Sequence, residues 1–167
     1  MTDIAGTFLE KSRSFLVSDY LPKIEECLHH LSDEDIWWRP NEASNSIANL
    51  LLHLCGNVRQ WVIAGVGQKD FERHRQQEFD ERSRLSKAEL LARLRETVAE
   101  ADEVIGRIGS ESLLASRHIQ FYDVTVLEAI YHVVEHFGMH TGQIIMMSKM
   151  RTGNDLRLWQ PPSNTAP

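Results

Sequence analysis

The sequence lacks clusters of basic residues, long apolar runs and the pattern of a secretion signal. Its formal net charge is −6, and binding to nucleic-acid backbones depends on clustered cations, so nucleic acid is not expected as a partner. No apolar run approaches the roughly 20 residues that cross a bilayer. The first ten residues have neither a basic start nor an apolar core. We therefore expect a cytoplasmic protein without a membrane partner.

Cysteine is also scarce. Cys27 and Cys55 are the only two in the chain, which is too few for a disulfide framework, and they do not form a CxxC pair. We expect both to be reduced side chains in the core. The chain has no internal repeat and no apolar–polar alternation typical of strands, so helices are expected to be its main elements.

Four stretches have the spacing of apolar residues that a helix with one buried face requires. In the first, Pro22 predicts either a kink or a new start. The second begins at an N-cap, Ser46. The third and fourth begin at Ser86 and Thr125, each followed three residues later by a glutamate that completes a capping box. The predicted helices cover residues 4–31, 46–62, 86–109 and 125–150.

Long connections separate some of these helices. Residues 68–85 are rich in charge and have no sustained period, which predicts a surface crossover with limited helix. Long loops of this kind are often functional. The pattern predicts an all-α fold, a four-helix bundle with long crossover connections, formed by residues 1–160 as a single domain. The proline-rich residues 161–167 are expected to form a mobile tail.

Three of the eight histidines, His132, His136 and His140, recur every four residues in the last helix. Side chains at i and i+4 lie one turn apart on the same face, so two such imidazoles can bind one metal ion. His132 and His140 are about 12 Å apart along the axis, at 1.5 Å per residue, which is too far to share an ion. The pair is therefore either His132 with His136 or His136 with His140.

A further ligand is expected from a facing helix, and His53 is the best candidate. It lies within the apolar second helix, four residues from both Asn49 and Asn57. A lone histidine in such a helix is more often a buried residue satisfied by hydrogen bonds. The i, i+4 histidines elsewhere in the chain favour the metal interpretation instead.

These motifs resemble the DinB/YfiT-like superfamily of metalloenzymes, and the resemblance covers nearly the whole chain. It rests on three features: His53 in the second helix, the HxxxHxGQ motif that runs from His136 to Gln143, and the segment Trp37-Trp38-Arg39-Pro40. The helix-4 motif is fairly specific when it is paired with a histidine in helix 2.

The resemblance implies a four-helix bundle, commonly a homodimer, that holds one divalent transition-metal ion per chain, with nickel or zinc expected first. By motif position, the metal ligands are His53, His136 and His140, and His132 is a neighbour of the site. Some members of the superfamily are transferases or isomerases that use low-molecular-weight thiols.

Three nitrogen ligands leave a coordination position for a small-molecule substrate. By resemblance we expect S-transfer from a low-molecular-weight thiol to a small electrophile. One alternative is a hydrolase that uses a metal-activated water. Another is a non-catalytic dimeric stress protein that the ion stabilises. Five polar residues are candidate second-shell or substrate contacts: Asn49, Asn57, Tyr131, Glu135 and Gln143.

Overall fold

The computed structural model describes residues 3–82 and 85–159, and most of this part of the chain is helical. The prediction of a mostly helical protein is thus confirmed. The tail predicted for residues 161–167 lies outside the described residues. No helix in the described ranges is both long and apolar enough to cross a membrane.

The first predicted helix is one continuous rod with a wider turn inside it. It consists of α1 (Ile4–Ser14), a π-helical stretch (Phe15–Tyr20) and α2 (Leu21–His29). Pro22 is the second residue of α2, in the first turn after the π-helical stretch. Because proline has no N–H and its ring clashes with the preceding turn of an α-helix, the change in helix type replaces the predicted kink.

The second predicted helix begins at Ser46, as expected, after the short helix α3 (Asp33–Trp37). It consists of α4 (Ile47–Val58) and a π-helical stretch (Arg59–Val66). Ser46 and Asn49 form a capping box, with the Ser46 hydroxyl accepting from the Asn49 N–H at 3.1 Å. Nearly every residue of α4 is buried, including its polar ones.

The described part of the connection that follows carries one short helix, α5 (Arg75–Asp80), in agreement with a crossover of limited helix. Helix α6 (Lys87–Gly106) then begins at the predicted Ser86–Glu89 capping box. Helix α7 (Val126–Thr152) begins at the predicted Thr125–Glu128 box. It ends at Gly153, whose φ of 69° is the left-handed conformation that favours glycine.

The prediction of a fold without strands was wrong in one place. Strands β1 (Ser116–Ile119) and β2 (Tyr122–Thr125) form an antiparallel hairpin with Ile119 opposite Tyr122. Each strand has four residues, and the two turn residues, Gln120 and Phe121, are not the Asn-Gly type that marks a tight hairpin. The segment therefore carries no hairpin signal in its sequence.

The core lies between four elements, in which α4 and the α1–α2 rod each pack against both α6 and α7. Gly138 allows a close approach on α7, since a Cβ there would lie 2.9 Å from the Tyr20 hydroxyl oxygen. Cys27 is a buried free thiol, as predicted, whereas Cys55 is free but only partly buried. This packing brings the middle of α4 next to the middle of α7.

Candidate metal centre

Three histidine side chains meet where α4 passes α7. One nitrogen each from His53, His136 and His140 lies within 4.8 Å of the other two. His53 and His140 are buried, and His136 is partly buried. The i, i+4 spacing on α7 places His136 and His140 on one face. His53 meets them from α4.

The imidazoles of His53 on α4 and His136 on α7 face each other through their Nε2 atoms. Nε2 of His53 lies 3.0 Å from Nε2 of His136. Nδ1 of His53 lies 2.9 Å from Oε2 of Glu78, a carboxylate acceptor, so His53 carries its proton on Nδ1 and a lone pair on Nε2. Two lone pairs at this distance repel, so a proton or a metal cation must lie between the rings.

His140 is held in the same way. Its Nδ1 donates to Oε1 of Gln143 at 2.7 Å, which leaves the Nε2 lone pair free. This Nε2 is buried and has no hydrogen-bond partner among the described residues. An unpaired buried nitrogen is costly, and such groups call for an explanation, for example an ion.

Burial keeps His136 and His140 in their neutral form. Burial, together with the nearby His140 and His53, lowers the pKa of His136 from 6.5 to about 3. Burial also lowers the pKa of His140, although the hydrogen bond to Gln143 acts in the opposite direction. Neutral imidazole is the form that binds metal ions, so these side chains need not lose a proton first.

The donor set fits a divalent transition metal. Ligand nitrogens about 2.1 Å from one ion stand roughly 3 to 4 Å apart, close to the spacing of these three side chains. The buried lone pair of His140 and the opposed lone pairs of His53 and His136 both require a cation or a proton. Three nitrogen ligands leave room for a further ligand, as in catalytic rather than structural zinc sites.

His132 lies beside this cluster rather than in it. Its Nε2 is 3.2 Å from Nδ2 of Asn57, and its ring contacts Trp61 at 4.2 Å between centroids and His136 at 5.4 Å. Of the two pairs that the spacing allows, the structure brings His136 with His140, not His132 with His136, to His53.

The sequence analysis missed two functional candidates, Arg73 and Glu78. They lie in the crossover, where Glu78 contacts His53 and Arg73 donates to both carboxylate oxygens of Glu78 at 2.7 Å. Burial tends to raise the pKa of Glu78, but hydrogen bonds from His53 and Arg73 outweigh it and lower the pKa. The only signal in the sequence was the length of the crossover.

The other polar candidates have mixed roles. Gln143 contacts His140, and Asn57 contacts His132. The Asn49 amide instead donates to backbone carbonyls of the crossover. Tyr131 and Glu135 are exposed on α7.

A cleft of about 460 Å³ opens beside the histidines, and both His53 and His136 line it. Trp61 and Tyr122 form an aromatic wall, with ring centroids 6.2 Å apart. Arg75 lines it on the crossover side. A larger cavity of about 550 Å³, at Trp37, Trp38 and Arg151, includes none of the histidines. Of these two cavities, the smaller cleft is therefore the one that opens at candidate metal ligands, namely His53 and His136.

Comparisons with known proteins agree with this fold. A family model described as a protein of unknown function, DUF1572, matches residues 3–164. A conserved protein from Enterococcus faecalis has a similar structure, with a TM-score of 0.75 at 16% identity over 92% of this chain and 100% of that chain. A DinB-like protein from Bacillus cereus gives a TM-score of 0.66 at 14% identity, over 83% and 89%. No curated protein matches the chain.

Proposed function

From the premise that this chain belongs to the DUF1572 family and to the DinB/YfiT-like superfamily, we propose that it is a metal-dependent thiol transferase. Its ligands are His53, His136 and His140, which hold one divalent ion per chain, nickel or zinc. Its reaction joins a low-molecular-weight thiol to a small electrophile.

One observation carries the metal proposal: the buried Nε2 atom of His140 has no hydrogen-bond partner in residues 3–82 and 85–159, and it lies beside two other imidazole nitrogens. The catalytic proposal depends on a second observation: His53 and His136 also line a cleft of about 460 Å³. Small-molecule sites are typically clefts of about 300–1,000 Å³ with a few convergent polar groups. A purely structural site needs no such opening.

When bound, the ion would supply a Lewis acid that stabilises a thiolate near neutral pH. The protein supplies orientation and a partly apolar wall. Trp61 and Tyr122 can pack against the electrophile, and Arg75 favours an anionic substituent. In the transfer, a sulfur lone pair forms the new S–C bond, and the leaving group departs with its bonding electrons. The thiol proton passes to water at the open side of the cleft.

Hydrolysis by an activated water ranks below S-transfer, because it needs a free general base near the site. Among the described residues, Glu128 is the carboxylate that lines the cleft, and it already accepts from the Thr125 N–H and hydroxyl. Glu135 is exposed on α7. These placements support the thiol as nucleophile.

We also propose that the rod and helices α4, α6 and α7 form a four-helix bundle that assembles as a homodimer. The packing of α4 and of the rod against both α6 and α7 supports the first part. An exposed apolar stripe on α7 supports the second, with Tyr131, Met139, Met146 and Met150 between 48% and 62% exposed.

The metal proposal predicts about one divalent ion per chain in protein that is purified without a histidine tag. His136→Ala should lose the ion, whereas His118→Ala should keep it. His118 is a matched control because it lies on the exposed hairpin, paired with Asp123. Elemental analysis of the three proteins is the measurement. Wild-type protein without an ion, or a His136→Ala variant that keeps it, contradicts the proposal.

The transferase proposal predicts that the protein accelerates conjugation of a model electrophile such as monobromobimane with a cellular thiol. Rates are compared with glutathione, cysteine and no thiol, before and after removal of the ion by a chelator. Acceleration should vanish with the chelator and return when zinc or nickel is added. Acceleration that is indifferent to the ion contradicts this mechanism, and its absence with every thiol favours the hydrolase or the non-catalytic alternative.

A further inference from the structure

A buried ion pair from the crossover lies against the candidate ligand on α4. The side chains of Arg73 and Glu78 are only 5% and 12% exposed, and they form two hydrogen bonds of 2.7 Å. Burying two charges is costly, so a buried pair is weak evidence of a purely stabilising role. Its position beside His53 suggests another purpose.

Helix α4 is shaped to receive this pair. A Cβ at Gly56 would lie 2.7 Å from Cδ of Glu78 and 2.9 Å from Nε of Arg73, so no larger residue fits unless the pair moves. Gly56 follows His53 by three residues and therefore shares its face. The absence of a side chain at this position lets the carboxylate reach the imidazole.

A second residue of the same face fastens the crossover. The amide Nδ2 of Asn49 donates to the backbone carbonyls of Glu78, Phe79 and Glu81 at 2.9 to 3.3 Å. Asn49 is fully buried and precedes His53 by one helical turn. Asn49, one turn before His53, thus holds the backbone of α5, and Gly56, three residues after His53, leaves space for the Glu78 side chain.

The proton arrangement follows from these contacts. Oε2 of Glu78 lies 2.9 Å from Nδ1 of His53, and Nη2 of Arg73 lies 3.1 Å from the same nitrogen. A guanidinium has no lone pair to accept a proton, so the carboxylate is the acceptor for Nδ1–H. Arg73 in turn orients that carboxylate.

We propose that Glu78, held by Arg73 in the space above Gly56, is a positioning residue that fixes the proton of His53 on Nδ1 and directs its Nε2 lone pair at the ion. This inference rests on the proposed metal site. Carboxylates that hold metal-bound histidines in this way set ring orientation and ligand basicity, and their loss commonly weakens metal binding about 10- to 100-fold.

The first test replaces the carboxylate. Glu78→Gln should bind zinc about 10- to 100-fold more weakly than wild type in a chelator competition. Glu72→Gln is the matched control, since it makes the same charge change on an exposed side chain of the same crossover and should bind zinc like wild type. With cobalt in place of zinc, the visible absorption of Glu78→Gln should also change. A merely structural role would alter stability without altering that spectrum.

The second test leaves every charge in place. Gly56→Ala should displace the Arg73–Glu78 pair and weaken zinc binding in the same direction. Gly6→Ala is its control, because it makes the same change in helix α1, which carries none of the candidate ligands, and the nearest atoms to a Cβ there belong to the Asp3 side chain. Zinc binding by Gly6→Ala should equal that of wild type.

A third measurement needs no variant. Nitrogen-15 NMR of zinc-loaded wild type should place the proton of His53 on Nδ1 and the ion on Nε2. If Glu78→Gln fails to fold, this measurement still tests which nitrogen of His53 carries the proton. A proton on Nε2 overturns the proposal, as does zinc binding that is unchanged in Glu78→Gln and Gly56→Ala, or equally weakened in their controls. If wild type itself binds no zinc, the proposed function fails instead.

Discussion

The histidines of the cluster differ from their neighbour His132 by what their nitrogens contact. Nδ1 of His53 and of His140 is held by an acceptor, which directs each Nε2 to the cluster. Nε2 of His132 is instead 3.2 Å from the Asn57 amide, and its ring lies against Trp61. His132 and His140 each lie four residues from His136, so spacing alone does not show which of them is a ligand. Their different contacts do.

At this scale we predict different outcomes for the two histidines on either side of His136. His132→Ala should keep about one ion per chain, with zinc affinity within roughly 10-fold of wild type, the low end of effects from residues that support ligands. His140→Ala should bind zinc more than about 100-fold more weakly than wild type, which is beyond that range, because the change removes a ligand itself. Chelator competition measures both. The reverse order would make His132 the ligand and reject the assignment of His140.

The sequence could predict these histidines because their spacing follows from helix geometry alone. It could not predict Arg73 and Glu78. The crossover has no periodicity, and their contact with His53 depends on how α5 folds back onto α4. The role of Gly56 could not be predicted either, because it depends on the side chains of Arg73 and Glu78 that pack against this glycine. The ligand assignment itself stays a prediction until an ion is measured.

At the scale of elements, an N-cap serine and two capping boxes made the starts of three helices predictable. Ser46, Ser86 and Thr125 each begin a helix in the structure. A fourth box, at Ser32 and Asp35, begins the short helix α3. The two π-helical stretches and the hairpin were missed, because helix type depends on packing and strands of four residues show too little alternation to be recognised.

Helix α3 is tied to the end of α7 by Asp35, which pairs with Arg151 at 2.9 Å. Hydrogen bonds from Ser32, followed by the one from Arg151, lower the pKa of Asp35 from 3.8 to about 2. Because the folded-state pKa lies below the unfolded value, the stabilisation is complete above pH 3.8 and is lost as the pH falls towards 2.

We therefore predict that wild type is more stable than Asp35→Asn at pH 6 and that this difference in unfolding free energy shrinks at pH 3. Urea unfolding at the two pH values measures it. Glu34→Gln, a neighbouring exposed carboxylate in the same helix, should show little difference at either pH. A difference for Asp35→Asn that stays constant with pH would mean that the carboxylate charge is not what ties α3 to α7.

At the scale of the whole molecule, α7 carries a stripe of exposed apolar side chains. Tyr131, Met139, Met146 and Met150 lie along one side of the helix, and Gly142 between them leaves space for a close approach. Methionine is common at adaptable binding surfaces. The predicted homodimer would bury this stripe.

The prediction is a mass near twice 19.2 kDa for wild type by light scattering after size exclusion. Met146→Glu should shift the protein towards the monomer, because a charge would be buried without a partner. Phe71 is an exposed residue of the crossover, and Phe71→Glu should leave the mass of the protein unchanged. A monomeric wild type at micromolar concentration would reject the dimer, and an unchanged Met146→Glu would place the interface elsewhere.

The hairpin has a consequence for protein engineering. It contributes Gln120, Tyr122 and Val124 to the cleft, while the three candidate ligands lie on α4 and α7. One part of the cleft border is thus encoded apart from the helices that would hold the ion. A library randomised only at these hairpin positions can diversify what enters the cleft without mutating any of the three histidines.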